Sequence, residues 1–431
     1  MEIDSMVVND VENGSSLNPN HNLSHRDEEK EQDASDPRSP SRRSAFRALF
    51  QDFGPIWFTW CMNAGILGTL LHQLPYQFHG LRVLSTIFFM LDLVMYLVFS
   101  AIYILHFALF RQRAYDELVN SVVDLCLFPC WSIAFMTLVS FVALTVSNAP
   151  WAGHGFTILT CVMWWISAAW VYTMLVFTFF ILIRQHTILD RQLPTLIIIP
   201  AVGVATLAAI GGVVTCFAHD LSAGLAVPII IMSICAVGVG IILGMMLYTY
   251  LLHQLLAKGW PAPPQTPTLF VLVGPVGQSA AALQLIGRAA DTSGHFAAYG
   301  QGFLLTRSAA YSFHVACQLL ALLMTGLGAV WLAFAFCGMI DRAYHRQLVW
   351  APTWNAVIFP TATLATSTLL LGSELDSAFF RVVTVILVVF LVLVFFVNMA
   401  FTLRGIFRGQ LLIVKEDPRI KGQLDEKPKA S

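Results

Sequence analysis

Ten predominantly apolar runs follow one another along the chain, near 53–71, 81–107, 124–147, 155–183, 193–218, 224–256, 266–290, 309–337, 347–371 and 377–403. A helical run of roughly 18 or more such residues crosses about 30 Å of hydrocarbon, so the pattern predicts ten membrane-spanning helices. Polar punctuation separates them. Pro75, Pro150 and the prolines between 261 and 267 fall in the gaps, and Leu193-Pro194 opens the fifth run.

A second periodicity overlies the first. Pro55, Pro129, Pro200, Pro275 and Pro360 lie inside the first, third, fifth, seventh and ninth runs, about 70 to 85 residues apart, which suggests a two-helix unit used five times. Proline removes a backbone donor, so a membrane helix retains one only where protein or a water-filled cavity satisfies the freed carbonyl. The five are therefore read as helix-break prolines, on helices gathered around a shared axis. Small and polar residues accompany them: Asn63, Gly65, Ser132, Gly203, Gly277, Gln278 and Thr363. The competing explanation is that glycine and proline are simply common in membrane helices. Among the even runs Pro228 lies in the first turn of the sixth, where proline is tolerated, so the concentration of the other five prolines in the odd runs favours a lined conduit.

Composition agrees with a membrane chain. Hydrophobic residues make up 57% and charged ones 11%, and mean hydropathy is +0.71, whereas soluble domains carry about 25% charged residues. A net charge of −1 gives no reason to expect nucleic acid as a partner. Residues 1–50 read as a disordered tail containing Ser39-Pro40-Ser41-Arg42-Arg43, 51–405 as the ten-helix domain and 406–431 as a second tail. No signal-peptide pattern is visible ahead of the first run. Basic residues concentrate in alternate loops and at one tail (Arg111, Arg113, Arg184, Arg191, Lys258, Arg342, Arg346, Arg404, Arg408, Lys415, Arg419, Lys421), which predicts that both termini are cytoplasmic. The opposite loops hold Arg82, Arg288, Arg307 and Arg381, with Asp220, Glu374 and Asp376 between them.

Enzyme chemistry finds no foothold. There is no phosphate-cradling loop, no nucleophile triad and no zinc-binding HExxH, so no catalytic residue, metal or cofactor is expected. All eight cysteines fall in or beside apolar runs and read as buried thiols. The odd runs hold no charge in their middle portions; Asp52 and Asp124 sit at their beginnings. That argues against an acid-lined cation path and suits an anion, held by the free amides of broken-helix N-termini with help from hydroxyl and amide side chains. Asp92 is the deepest acid, either structural and paired with a polar neighbour such as His106, or proton-coupling. His314 reads as a packed, hydrogen-bonded residue.

Phe53-Gly54-Pro55-Ile56-Trp57-Phe58 and the stretch Leu70-Leu71-His72-Gln73-Leu74-Pro75-Tyr76-Gln77-Phe78-His79-Gly80-Leu81 closely resemble the tellurite-resistance/dicarboxylate transporter family, in particular its sulfite efflux branch. Phe128-Pro129, Trp164-Trp165-Ile166, Gly274-Pro275-Val276-Gly277-Gln278 and Phe359-Pro360 follow in the same order. The resemblance implies an all-α membrane protein of ten helices in five hairpins, odd helices inside around a pore, assembled as a homotrimer in the plasma membrane. It also implies that Phe359 occludes the pore. Departures are visible: Asn63-Ala64-Gly65 stands where sulfite pumps carry Gly-Thr-Gly, Ser167 where they carry Asp, and Cys126-Leu127-Phe128-Pro129-Cys130-Trp131 where they carry Gly-Thr-Phe-Pro-Met-Gly. The expected activity is sulfite or hydrogensulfite efflux. The alternatives are a dicarboxylate such as malate, or a receptor or scaffold without flux.

Overall fold

The computed structural model describes residues 53–185 and 193–408. The expected tails lie outside them except for the last turn of the final helix, as do the Ser39–Arg43 patch, Asp52, Arg191, Lys415, Arg419 and Lys421. Ten long helices account for the predicted runs: α1 Phe58–Gln73, α2 Leu81–Leu109, α3 Cys130–Phe141, α4 His154–Gln185 and α5 Ile199–Phe217. The second half holds α6 Ala223–Lys258, α7 Val273–Ala290, α8 Arg307–Tyr344, α9 Ile358–Glu374 and α10 Ala378–Phe407. Two short helices that no apolar run announces, Arg111–Asn120 and His295–Tyr299, lie between them; the first is too polar for the hydrophobic count. Among the described residues the sole β feature is an isolated bridge, Gln301 to Leu305.

Nine of the long helices are long and apolar enough to cross a membrane, counting the short helical turns joined to them. The exception is α1, with 16 residues. Its α-helical part rises about 24 Å and the preceding 3₁₀ turn Pro55–Trp57 adds about 6 Å, together about the hydrocarbon thickness. Polar Asn63, Thr69, His72 and Gln73 lower its hydropathy, which costs little because most of α1 touches protein rather than lipid.

Odd and even helices separate by burial. The most apolar stretch is 100% buried in α5 and in α7, but 28% buried in α2 and in α10. The even helices face lipid along one stripe. In α2 this stripe is Val83, Ile87, Met90, Val94 and Leu97, while the opposite, buried face carries Ser85, Asp92, Ser100 and His106. Such an inverted pattern is what a lipid solvent selects, since polar groups find partners only inside the protein.

Each odd helix packs on the even helix that follows it, giving five hairpins, and the odd helices touch in the order α1, α3, α5, α7, α9 and back to α1. The ring is closed. Close approach relies on small residues. A Cβ on Gly277 of α7 would fall 2.1 Å from Thr363 Oγ1 of α9, so only glycine allows that separation.

The structure locates the prolines near the N-terminal ends of the odd helices. Four lie beside a 3₁₀ turn that passes into the α-helix, and Pro129 lies between the short α-helix Val122–Leu127 and α3. Pro55 begins the 3₁₀ turn before α1, and Pro129 immediately precedes α3. Pro200 is the second residue of α5, while Pro275 and Pro360 are the third residues of α7 and α9. Turns of 3₁₀ type, Thr195–Ile198, Pro263–Leu272 and Pro352–Val357, lead into those last three. A proline ring fits the first α-helical turn, where its missing N–H is least needed.

One smaller expectation changes, that of the cysteines, while Asp92 and His314 are given their partners. Cys235 and Cys337 are exposed on even helices and Cys216 is half-buried; all eight thiols are unpaired. Asp92 accepts a hydrogen bond from Thr137 Oγ1 at 2.7 Å, and His106 instead lies 3.8 Å from Glu117. His314 is not a lone histidine: Asp291 approaches one ring nitrogen at 3.3 Å and Glu374 the other at 3.6 Å.

Candidate functional site

Among the five odd helices, the start of α9 is held in place by side chains from neighbouring helices. Here the chain passes from the 3₁₀ turn Pro352–Val357 into the α-helix, and Pro360 has no N–H to offer the carbonyl one turn back. Asn63 of α1 fills the irregular ladder. Its Nδ2 donates to the Asn355 carbonyl at 3.1 Å and its Oδ1 accepts from the Phe359 N–H at 3.1 Å. In a regular helix those two backbone groups would bond each other, so one carboxamide is inserted between them. Asn398 of α10 adds a 3.4 Å contact to Asn355 Oδ1. Phe359, 3% exposed, is thus held by its backbone from the neighbouring helix of the ring, and among the described residues its side chain makes no aromatic pairing.

The other expected lining residues divide by what they touch. The Ser132 and Thr363 hydroxyls donate back to the carbonyls of Pro129 and Pro360, at 2.9 and 2.7 Å, so each is occupied within the turn that follows its proline. Gly65 lets α1 approach α2 and α3, since a Cβ there would fall 2.4 Å from Asp92 and from Thr137. Gly203 faces Val171 of α4, and Gly277 faces Thr363. These glycines therefore set helix separation, and the hydroxyls bond locally. Gln278, 5% exposed on the fully enclosed α7, makes no hydrogen bond among the described residues. Its free amide stands out among those named in advance.

The broken-helix N-termini do not supply the expected free amides. At the starts of α1, α5, α7 and α9 the first helical N–H already donates to a carbonyl of the preceding 3₁₀ turn. Positive charge gathers at the other end. A cavity of about 980 Å³ opens where all five odd helices finish, reached by His72, Thr145, Phe217, Arg288 and Ser373 among others. Arg82 from the first turn of α2 and Arg381 from the first turn of α10 complete its lining, and no carboxylate contributes. Arg381 is anchored, donating to the Gly372 carbonyl at 3.1 Å and pairing with Asp376. Asn148 ties this rim together by donating to the carbonyls of Ala143 and Phe217, each at 2.9 Å.

The sequence reading counted these arginines only as loop residues on the poorer side. They come from three separate segments, and nothing in their spacing announces a common cavity. The available signal was weaker: Arg82 and Arg381 each open an even helix directly after an odd one has ended.

Comparison with known proteins bears on the same span. The chain is 26% identical over 336 residues to a sulfite efflux pump of Arthroderma benhamiae, covering 77% of this chain and 84% of that one. It is 23% identical over 329 residues to a malic acid transport protein of Schizosaccharomyces pombe, covering 75% and 72% respectively. A sulfite efflux pump of Saccharomyces cerevisiae matches at 24% over 267 residues, 56% of this chain and 58% of that protein. The family described as SLAC1, voltage-dependent anion channel, matches residues 52–403, nearly the whole helical ring, and the chain belongs to that family of membrane anion channels and transporters.

Proposed function

We propose that this multi-pass anion transporter moves sulfite or hydrogensulfite out of the cell across the plasma membrane, through the axis of the five odd helices, with Phe359 as the gate. The observation that carries the proposal is a closed ring of odd helices without charge at mid-depth, with a buried aromatic residue at the start of α9 whose backbone is held by the neighbouring α1. An aromatic face blocks an uncharged passage, and rotation of one side chain opens it without moving a helix. Support for sulfite comes from the efflux pumps among the relatives and from Gly274-Pro275-Val276-Gly277-Gln278. On this reading both termini are cytoplasmic and the assembly is a homotrimer.

A second reading, transport of malate or a similar dicarboxylate, is favoured by the wide cavity and by the firmly anchored Arg381, which suit a larger anion with two carboxylates. Flux into proteoliposomes of sulfite, malate, nitrate and chloride, for wild type and Phe359→Ala, separates the two. Sulfite flux that rises in Phe359→Ala is the expected result. Malate flux without sulfite flux moves the chain to the dicarboxylate reading. Equal flux in both proteins removes the gate, and no anion flux in either sinks the transport reading.

A further inference from the structure

The cavity at the C-terminal ends of the odd helices has a charge arrangement that packing does not explain. Three guanidinium groups line it, from α2, α7 and α10, with the imidazole of His72 and the hydroxyls of Thr86, Thr145 and Ser373 between them. Arg288 lies in the last turn of α7, where the helix dipole favours a cation. Arg82 and Arg381 lie in first turns, where the dipole opposes one. Arg381 recovers that loss through Asp376 and the Gly372 carbonyl. Arg82 does not: among the described residues neither Arg82 nor Arg288 has an ion-pair or hydrogen-bond partner in the protein, although donors of their kind normally find one when they serve structure.

The acids near this end are directed elsewhere. Asp376 is taken by Arg381, Asp291 and Glu374 both approach His314 at 3.3 and 3.6 Å, and Asp220 lies 3.2 Å from His219. What remains facing the cavity is two unopposed guanidinium groups above a passage with no charge of its own. A concave wall of one sign concentrates counter-ions, by about 10- to 1000-fold. At about 980 Å³ the cavity exceeds a small inorganic anion many times over, so its occupant keeps part of its water and is held by charge rather than by a shaped pocket.

We infer that Arg82 and Arg288 form an oxyanion-holding site at this end of the pore, taking a free, partly hydrated sulfite-sized or carboxylate anion, with Arg381 as a fixed structural cation beside it. The inference rests on the transport reading only for its choice of ligand class. It assigns this end of the pore a positive charge that the middle portions of the odd helices do not carry.

The test is equilibrium binding of radiolabelled sulfite, kept anaerobic, to the purified full chain in nanodiscs of zwitterionic lipid at low salt. Wild type is expected to bind saturably, and Arg82→Gln combined with Arg288→Gln to weaken binding about tenfold or more. Replacing both by lysine retains the charge and most of the binding, which separates lost charge from misfolding. Arg111→Gln, at the opposite end, leaves binding unchanged. Raising salt from about 0.01 M to about 0.15 M shortens the screening length from about 30 Å to about 8 Å and weakens binding to the wild type. Unchanged affinity in the double glutamine variant overturns the site, as does an equal loss in Arg111→Gln. Anionic lipid that displaces sulfite also overturns it, by making the occupant a headgroup. Parallel flux measurements keep the two readings apart: flux without saturable binding removes the site and leaves transport, whereas binding without flux leaves the site and removes transport.

Discussion

Asn63 offers the sharpest test of how the start of α9 is held, because its carboxamide replaces a backbone bond. In Asn63→Leu the branching and number of side-chain heavy atoms are kept while both 3.1 Å hydrogen bonds are lost. The two stranded backbone groups are not equal. The Asn355 carbonyl still accepts from the Ile358 N–H, so it forfeits one bond of two, whereas the Phe359 N–H is left buried with no acceptor. A buried donor without a partner costs about 1–3 kcal/mol and an ordinary lost bond about 0.5–1.5 kcal/mol, so the variant is expected to be destabilised by about 2 to 4 kcal/mol. Two measurements follow. Equilibrium unfolding of the purified protein in mixed micelles reports the total. Hydrogen exchange of the peptide containing Phe359 reports the local share, and the amide is expected to exchange roughly 30-fold faster or more, at about 1.4 kcal/mol per factor of ten. In proteoliposomes the same variant is expected to raise resting anion flux, because the residue carrying the gate loses its anchor to α1. Stability within about 0.5 kcal/mol of wild type, with unchanged exchange at Phe359, would refute the inserted carboxamide.

Gly277→Ala is expected to destabilise by about 1–3 kcal/mol through overpacking, since the new methyl would meet Thr363 Oγ1 at 2.1 Å and the Leu364 nitrogen at 2.9 Å; the same unfolding measurement checks it. His295, in the short helix outside the membrane spans, gives a pH prediction. Burial pulls its pKa below the ordinary imidazole value of 6.5, with the Thr215 carbonyl at 2.9 Å acting weakly in the opposite direction. The unfolded chain therefore binds the proton more readily, so stability is full above that ordinary value and falls as pH drops through and below it. His295→Gln is expected to flatten this part of the stability profile, as thermal unfolding from neutral to mildly acidic pH would show.

Much of the architecture was legible along the chain because lipid leaves few choices. Apolar run length gave the number of crossings, and the proline spacing gave the hairpin repeat and, with it, the inner helices. Phe359 was legible only through its neighbour Pro360 and a family resemblance. The role of Asn63 was not: as a polar residue in a small-residue stretch it read as lining, and its actual partners lie 292 and 296 positions away. Asp92 read as structural with a polar neighbour, but which neighbour was not legible, because its partner Thr137 belongs to another helix and His106 merely shares its own. Cys235 and Cys337 read as buried since apolar surroundings in sequence do not distinguish protein interior from lipid.

The sequence by itself determined that this chain is a bundle of membrane helices whose odd members carry no charge in their middle portions, because an apolar solvent penalises every charge and every open backbone group wherever they occur along the chain. Only the tertiary structure decided where the prolines act, which polar groups serve packing rather than passage, and that Arg82, Arg288 and Arg381 face one cavity. Those outcomes depend on which helix ends meet once the ring closes. That closure is a property of packing between segments far apart in the chain, and local composition does not encode it.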